Sequence, residues 1–255
     1  MTHAALGAEG TVSSYVSAGV ADICFGHPKS NSLPSSVLRA LADEISAAGA
    51  RDDVRVIVLR SYGSGAFCAG ASFTELSAIQ DAAAGKEFFL GFARVILAMT
   101  RCSKPIITRV QGKVVGGGVG IVAASDYAIA VTQASLRLSE LAIGIGPFVV
   151  GPAIERRIGS GAFEAMALDA GWREASWAER HGLYARVVEG MPALDAAVSD
   201  FAATLAGMNP DAVTRIKRIA SAGTEQWPRL LDERAAMSGM LVLSEFAKKA
   251  ITKQT

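Results

Sequence analysis

The run Val115-Gly116-Gly117-Gly118-Val119-Gly120 and the segment Ser139-Glu140-Leu141, twenty residues beyond it, supply the two kinds of group needed to move a proton beside a carbonyl. Four glycines in five positions let a backbone approach a ligand closely, and a helix opening there presents N–H groups that lack intrahelical acceptors. Glu140 adds a carboxylate able to take up or release a proton. Amide donors aimed at a developing oxyanion, with an acid/base group beside them, are the equipment for enolate chemistry.

A second loop, Gly65-Ala66-Phe67-Cys68-Ala69-Gly70-Ala71-Ser72-Phe73, leaves the backbone bare at positions 69 to 71. Alone, a small-residue loop at a strand end reads as a tight turn. Paired with the glycine run it offers a second N–H, so that a thioester or ester carbonyl can be held by two loops, one of them a helix N-terminus. Structural roles compete with these. Glu140 can cap the helix that follows or pair with Arg137, Cys68 reads as a buried thiol with no histidine partner, and His181 reads as a helix end. Arg156, Arg157, Lys217 and Arg218 read as solvated charges, although one of them could reach a phosphate. Gly118-Val119-Gly120-Ile121-Val122-Ala123 formally fits a dinucleotide-binding pattern. Its first glycine does not directly follow the strand, and Glu140 lies well past the end of the next one, which makes a dinucleotide-binding protein a remote alternative.

These groups are positioned by alternating strands and helices. Residues 12–16 and 20–25 flank Ala18-Gly19 as a hairpin, and a helix then starts at Pro34, with Val37, Leu38, Leu41 and Ile45 on one face, and ends at Gly49. Strands are expected at 54–59, 106–110, 127–131 and 135–138, a long helix at about 75–99, and a short one from the glycine run to about 124. From Ser160 the pattern is mainly helical, with Ser176-Trp177-Ala178-Glu179 as a capping box, Gly182 as a stop and a late strand at 183–188. Pro192, Asn209-Pro210 and Trp227-Pro228 punctuate three terminal helices. The last of these carries more apolar surface than a solvated helix needs, including Leu231, Met237, Met240 and Phe246, and so packs on another subunit or back on the core.

At 255 residues and 51% apolar content the chain can bury one large core. With 25 basic and 24 acidic side chains, the net charge of +1 argues against a nucleic-acid partner and against a basic membrane patch. The longest apolar stretch, 141–154, is too short to span a bilayer, and the first twenty residues lack a signal-peptide pattern. Cys24, Cys68 and Cys102 are too scattered for a Cys-x-x-Cys motif, and His3, His27 and His181 show no metal-ligand spacing. A cytoplasmic protein with reduced thiols and no metal is expected.

Phe67-Cys68-Ala69-Gly70-Ala71, Gly116-Gly117-Gly118, Ser139-Glu140 and Ala178-Glu179-Arg180-His181-Gly182-Leu183 together resemble the enoyl-CoA hydratase/isomerase (crotonase) superfamily over roughly residues 10 to 250. The resemblance implies an α/β fold, a crotonase-like (ClpP/crotonase) spiral of strand-strand-helix turns at 1–190 that binds acyl-CoA, and a C-terminal helical trimerisation region at 191–255. It implies an acyl-CoA substrate, coenzyme A entering as part of the thioester, no required cofactor, and a homotrimer or a hexamer built as a dimer of trimers. By position, Ala71 and Gly117 match the two oxyanion-hole amides and Glu140 the second of two catalytic glutamates. Ala69, Ser72 and Phe73 fall in the segment lining the CoA pocket. Lys29 matches a lysine near the CoA phosphates, in a loop one residue short of the family's.

The chain departs from the family at Gly120, where the usual hydratases carry their first glutamate. In those relatives both glutamates hold the water that is added. A single carboxylate among Leu141, Ile143, Ile145, Phe148 and Val149 would have its pKa raised by desolvation and would pass a proton between two carbons of the acyl chain. Hydration and double-bond isomerisation both stay open on this reading, and a glutamate placed at 120 would create or improve hydration. An acyl-CoA hydrolase of the same fold and a catalytically silent CoA-thioester-binding scaffold are the alternatives.

Overall fold

Val20–Gly26 (β2) is buried along almost its whole length, as a strand covered on both faces must be, whereas Thr11–Ser17 (β1) stays half-exposed at the sheet edge. The computed structural model describes residues 6–253, so His3 lies outside the described residues. With Val56–Ser61 (β3), Ile106–Val110 (β4), Tyr127–Val131 (β6) and Arg186–Val188 (β8) these strands form a six-stranded sheet in the order β1-β2-β3-β4-β6-β8. Only the β1–β2 pair is antiparallel. Ser35–Ala50 (α1) covers β1 and β2 with the face formed by Val37, Leu38, Leu41 and Ile45.

A second, two-stranded sheet positions the site. Val114–Val115 (β5) runs parallel to Leu136–Arg137 (β7), and single-residue bridges join Cys68 to Val114 and Leu136 to Arg173. β5 escapes the sequence because two residues carry no period. The strand, strand, helix turn therefore recurs, and β4 and β5 lead into Gly117–Ala124 (α4).

The expected long helix at 75–99 is instead two helices, Phe73–Ala78 (α2) and Ala82–Arg101 (α3). Each has its own side-chain cap: Ser72 Oγ accepts from Glu75 N at 3.4 Å and Asp81 Oδ1 from Ala84 N at 2.8 Å. The apolar stretch after Glu140 forms a 3-10 turn, Leu141–Ile143, and then Gly151–Ile158 (α5), with Pro152 in its first turn. Ser160–Asp169 (α6) and Ala175–Arg180 (α7) follow. Ser176 does not cap α7, because the helix has already begun and Glu174 precedes it without a side-chain cap.

Four helices close the chain rather than three: Gly190–Ala206 (α8), Pro210–Ala220 (α9), Trp227–Leu241 (α10) and Glu245–Thr252 (α11). Ser244 Oγ, accepting from Ala247 N at 3.2 Å, starts the extra one. α8, at the expected boundary near 190, lies against β3, β4 and β6. α10 lies along α3 with no side chains between the backbones at Gly85 and Gly239, where a Cβ on Gly85 would sit 2.7 Å from Gly239 O. Trp227, Leu231 and Ala235 are thereby buried, while Met237, Met240 and Phe246 remain exposed.

The charges expected to be solvated are largely structural. Lys217 is buried, with Nζ donating to Asp126 at 2.7 Å and to Lys104 O at 2.9 Å. Arg157 donates to the carbonyls of Ala123 and Ser125, and Arg156 to those of Ala220 and Ala222. Each satisfies backbone acceptors left open at a helix end or in the turn after it. Among the described residues no helix is long and apolar enough to cross a membrane.

Candidate active site

Backbone pairing gathers the three chemistry-bearing segments. Phe67 N donates to Lys113 O at 3.0 Å, Val115 N to Cys68 O at 2.9 Å and Gly116 N to Arg137 O at 2.9 Å. The two glycine-rich loops and the Glu140 segment leave this small sheet side by side. Ala71, Gly117 and Glu140 all line one cleft, with about 540 Å³ of empty space including its mouth.

Around Ala71 the neighbouring groups are consumed, Gly70 O accepting from Leu33 N at 2.8 Å and Ser72 N donating to Leu33 O at 3.3 Å. The Ala71 N–H has no acceptor among the described residues. Gly117 opens α4, so its N–H has no intrahelical partner and sits at the positive end of the helix dipole. Gly116 adopts φ +53, and a Cβ there would come 2.9 Å from Glu140 Oε1. Glycine at 116 is thus what lets the carboxyl group lie against the start of α4.

Glu140 neither caps the following turn through its side chain nor forms an ion pair with Arg137. The Arg137 guanidinium lies instead over the Trp172 ring, 4.8 Å from its centroid. The carbonyl of Glu140 accepts from Ile143 N at 3.1 Å and Ile145 N at 3.0 Å, which fixes the backbone. Its Oε2 is sealed from solvent without a hydrogen-bond partner. Burial pushes the carboxyl group up to about 7; the N–H groups of Glu140 and Ser139 and the charge of Arg137 pull the other way with less effect.

Ile143, Ile145, Phe148 and Val149 line the cleft as expected from the sequence, whereas Leu141 turns outward and is 44% exposed. Gly120 does not reach the cleft. It is buried within α4 behind Val150, which lines the wall in its place. A glutamate at 120 would have to displace Val150 before it could enter the cleft, which stands against the expectation that it would create or improve hydration. Gly118 packs on Cys68 and Gly120 on Val150 inside the helix, leaving no strand-to-helix glycine loop for a diphosphate. Cys68 is fully buried, its thiol pushed up to about 12 by desolvation, and is no nucleophile.

Ala69 and Phe73 line the cleft; Ser72 and Lys29 do not. Ser72 caps α2, and Lys29, exposed, donates from Nζ to Thr74 Oγ1 at 2.8 Å. Four wall residues were not singled out from the sequence, Leu76, Phe89, Phe92 and Ser238. A serine on the inward face of a helix, in step with Leu231 and Ala235, was the available signal for Ser238. Among the described residues no three His, Cys, Asp or Glu side chains group as metal ligands.

Comparison with known proteins gives a consistent picture. The sequence profile described as enoyl-CoA hydratase/isomerase matches residues 15–253. Over 126 residues the chain is 34% identical to the (7aS)-7a-methyl-1,5-dioxo-2,3,5,6,7,7a-hexahydro-1H-indene-carboxyl-CoA hydrolase of Mycobacterium tuberculosis, a match spanning 49% of this chain and 51% of that one. The chain thus spans about half the length of that relative. Over 243 residues it is 25% identical to the carnitinyl-CoA dehydratase of Proteus mirabilis, covering 89% and 92% of the two chains. The crystal structure of an enoyl-CoA hydratase from Mycobacterium smegmatis superimposes with a TM-score of 0.77 at 28% identity, over 82% of this chain and 81% of that one.

Proposed function

Because the chain belongs to the enoyl-CoA hydratase/isomerase family, we propose that it is an enzyme that shifts the double bond of an enoyl-CoA thioester with Glu140 as its single acid/base. The observation that carries this reading is that, among the described residues, Glu140 is the one ionisable side chain in the cleft wall. The ionised carboxylate removes a proton from carbon 2 of a 3-enoyl thioester. The electron pair moves onto the carbonyl oxygen, which the N–H groups of Ala71 and Gly117 hold as an enolate. Protonated Glu140 then returns the proton to carbon 4 and the double bond comes to rest between carbons 2 and 3. A value near 7 suits a group that must act as base and acid in one turnover. The proton and the charge are both accounted for, so the reaction needs no metal or redox group.

Hydration is disfavoured on this reading, because apolar Val150 stands where a second water-holding side chain would project. Coenzyme A binding falls to Ala69 and Phe73 in the wall, to Lys29 as a charge for a phosphate, and to Ser72 through its hold on α2. Self-association as a homotrimer or hexamer would cover Met237, Met240 and Phe246. Three free, buried thiols fit a cytoplasmic setting.

Incubation with 2-enoyl-CoA and, separately, 3-enoyl-CoA in deuterated water, followed by mass spectrometry, tests the proposal. Conversion of the 3-enoyl to the 2-enoyl thioester alone is the expected result. A hydrated product from the 2-enoyl substrate overturns the single-base reading. Release of free CoA would assign the protein to the hydrolase branch, and binding without turnover to a scaffold.

A further inference from the structure

Among the described residues three polar side chains line the cleft: Ser139, Glu140 and Ser238. Glu140 has its role, and Ser139 is only partly buried. Ser238 is different. It is 1% exposed on the inner face of α10, and among the described residues its hydroxyl neither gives nor receives a hydrogen bond. Helical hydroxyls commonly return a bond to the preceding turn, as Ser46 does to Ala42 O at 2.8 Å and Thr100 to Ile96 O at 2.9 Å. Ser238 makes no such bond, so its hydroxyl faces the cleft without a protein partner and is free to pair with a ligand.

Its place along the cleft follows from α3. Phe92 packs against Gly117, at the amide end of the site, and Phe89 is the next cleft-lining residue along the helix. Gly85 then lies against Gly239, the neighbour of Ser238. The seven residues from Phe92 to Gly85 correspond to about 10 Å of helix rise. Ser238 therefore lies about two helical turns along α3 from the amide end, in a cleft whose wall is otherwise largely apolar, with Leu76, Phe89 and Ile143 among its lining.

We propose that Ser238 is a specificity residue whose hydroxyl hydrogen-bonds an oxygen, ketone or hydroxyl, on the far part of the acyl group, so that the preferred substrates are oxygenated acyl-CoA thioesters rather than plain alkyl ones. The inference rests on acyl-CoA being the ligand of this cleft. Its test is calorimetric titration of the wild-type protein and of Ser238→Ala with two unreactive CoA thioethers of equal length, one alkyl and one bearing a ketone near its far end. The wild type should bind the ketone about tenfold more tightly, and Ser238→Ala should lose that preference while binding the alkyl thioether undiminished. Equal binding of the two by the wild type, or a preference retained by Ser238→Ala, overturns the assignment. A Ser238-dependent preference in a protein that converts no enoyl-CoA would leave this inference standing and remove the isomerase reading. Turnover without a preference would do the reverse, and failure of both thioethers to bind to a protein that converts no enoyl-CoA would remove both.

Discussion

Val150 occupies the space that a side chain on Gly120 would need: a Cβ at 120 would lie 2.6 Å from both Cβ and Cγ1 of Val150. The pair closes the cleft wall with a valine where the family's two-carboxylate enzymes place a glutamate. The missing acid is thus not an open position that one substitution refills.

Gly120→Ala should lower stability by about 1–3 kcal/mol through overpacking, and Val150→Gly introduced with it, which removes both clashing carbons, should cost less than the two single changes added together. Chemical denaturation of the single and double variants measures this. Gly120→Glu should yield no hydratase activity; a folded Gly120→Glu protein that hydrates 2-enoyl-CoA would contradict the packing argument.

Glu140→Gln keeps the shape of the side chain and removes its proton chemistry. Turnover should fall by about 10²–10⁴-fold with thioether binding little changed. In the unaltered enzyme kcat/KM should rise with pH to a plateau above about 7, because the free enzyme must present the ionised carboxylate. Steady-state kinetics over pH 5 to 9 would show it, and a profile flat through neutrality would count against Glu140 as the base.

The same burial makes Glu140 a stability cost at high pH. Its carboxyl group titrates at about 7 in the folded protein against 4.5 ordinarily, so between these values the folded state holds a proton that the unfolded chain has released. Stability is greatest on this account below about pH 4.5 and declines as pH rises toward 7, by about 3 kcal/mol in all. Glu140→Gln should lack this decline and be the more stable protein at pH 8. Thermal melts of both proteins from pH 5 to 8 test the sign.

Lys217 and Asp126 tie α9 to the turn before β6, with Ile106 N also donating to Asp126 at 2.7 Å. Lys217→Ala leaves the carboxylate without its cation and should cost about 3 kcal/mol. Neither residue lines the cleft, so kcat/KM at low temperature should be unchanged, and a selective loss of activity would show a role beyond structure.

The sequence by itself determined the alternating core, because short segments rich in β-branched residues such as 20–25 and 106–110 recur between helical patterns, and strands of that kind are buried on both faces of a parallel sheet. The resemblance carried by its motifs also pointed to Ala71, Gly117 and Glu140, which line one cleft in the fold. The sequence did not resolve the break between α2 and α3, set by the Asp81 cap, or the two-residue strand β5, too short to show a period. Tertiary structure alone decided that Arg137 stacks on Trp172 rather than pairing with Glu140, that Leu141 turns away from the cleft, and that Lys217 is buried. It alone brought Val150 against Gly120 and Ser238 into the cleft, in the latter case from about 100 residues beyond Glu140. Local periodicity records which face of an element is apolar. Which distant side chain fills a given space depends on how helices meet, and here that was set by the close approach of α10 to α3 at Gly239 and Gly85.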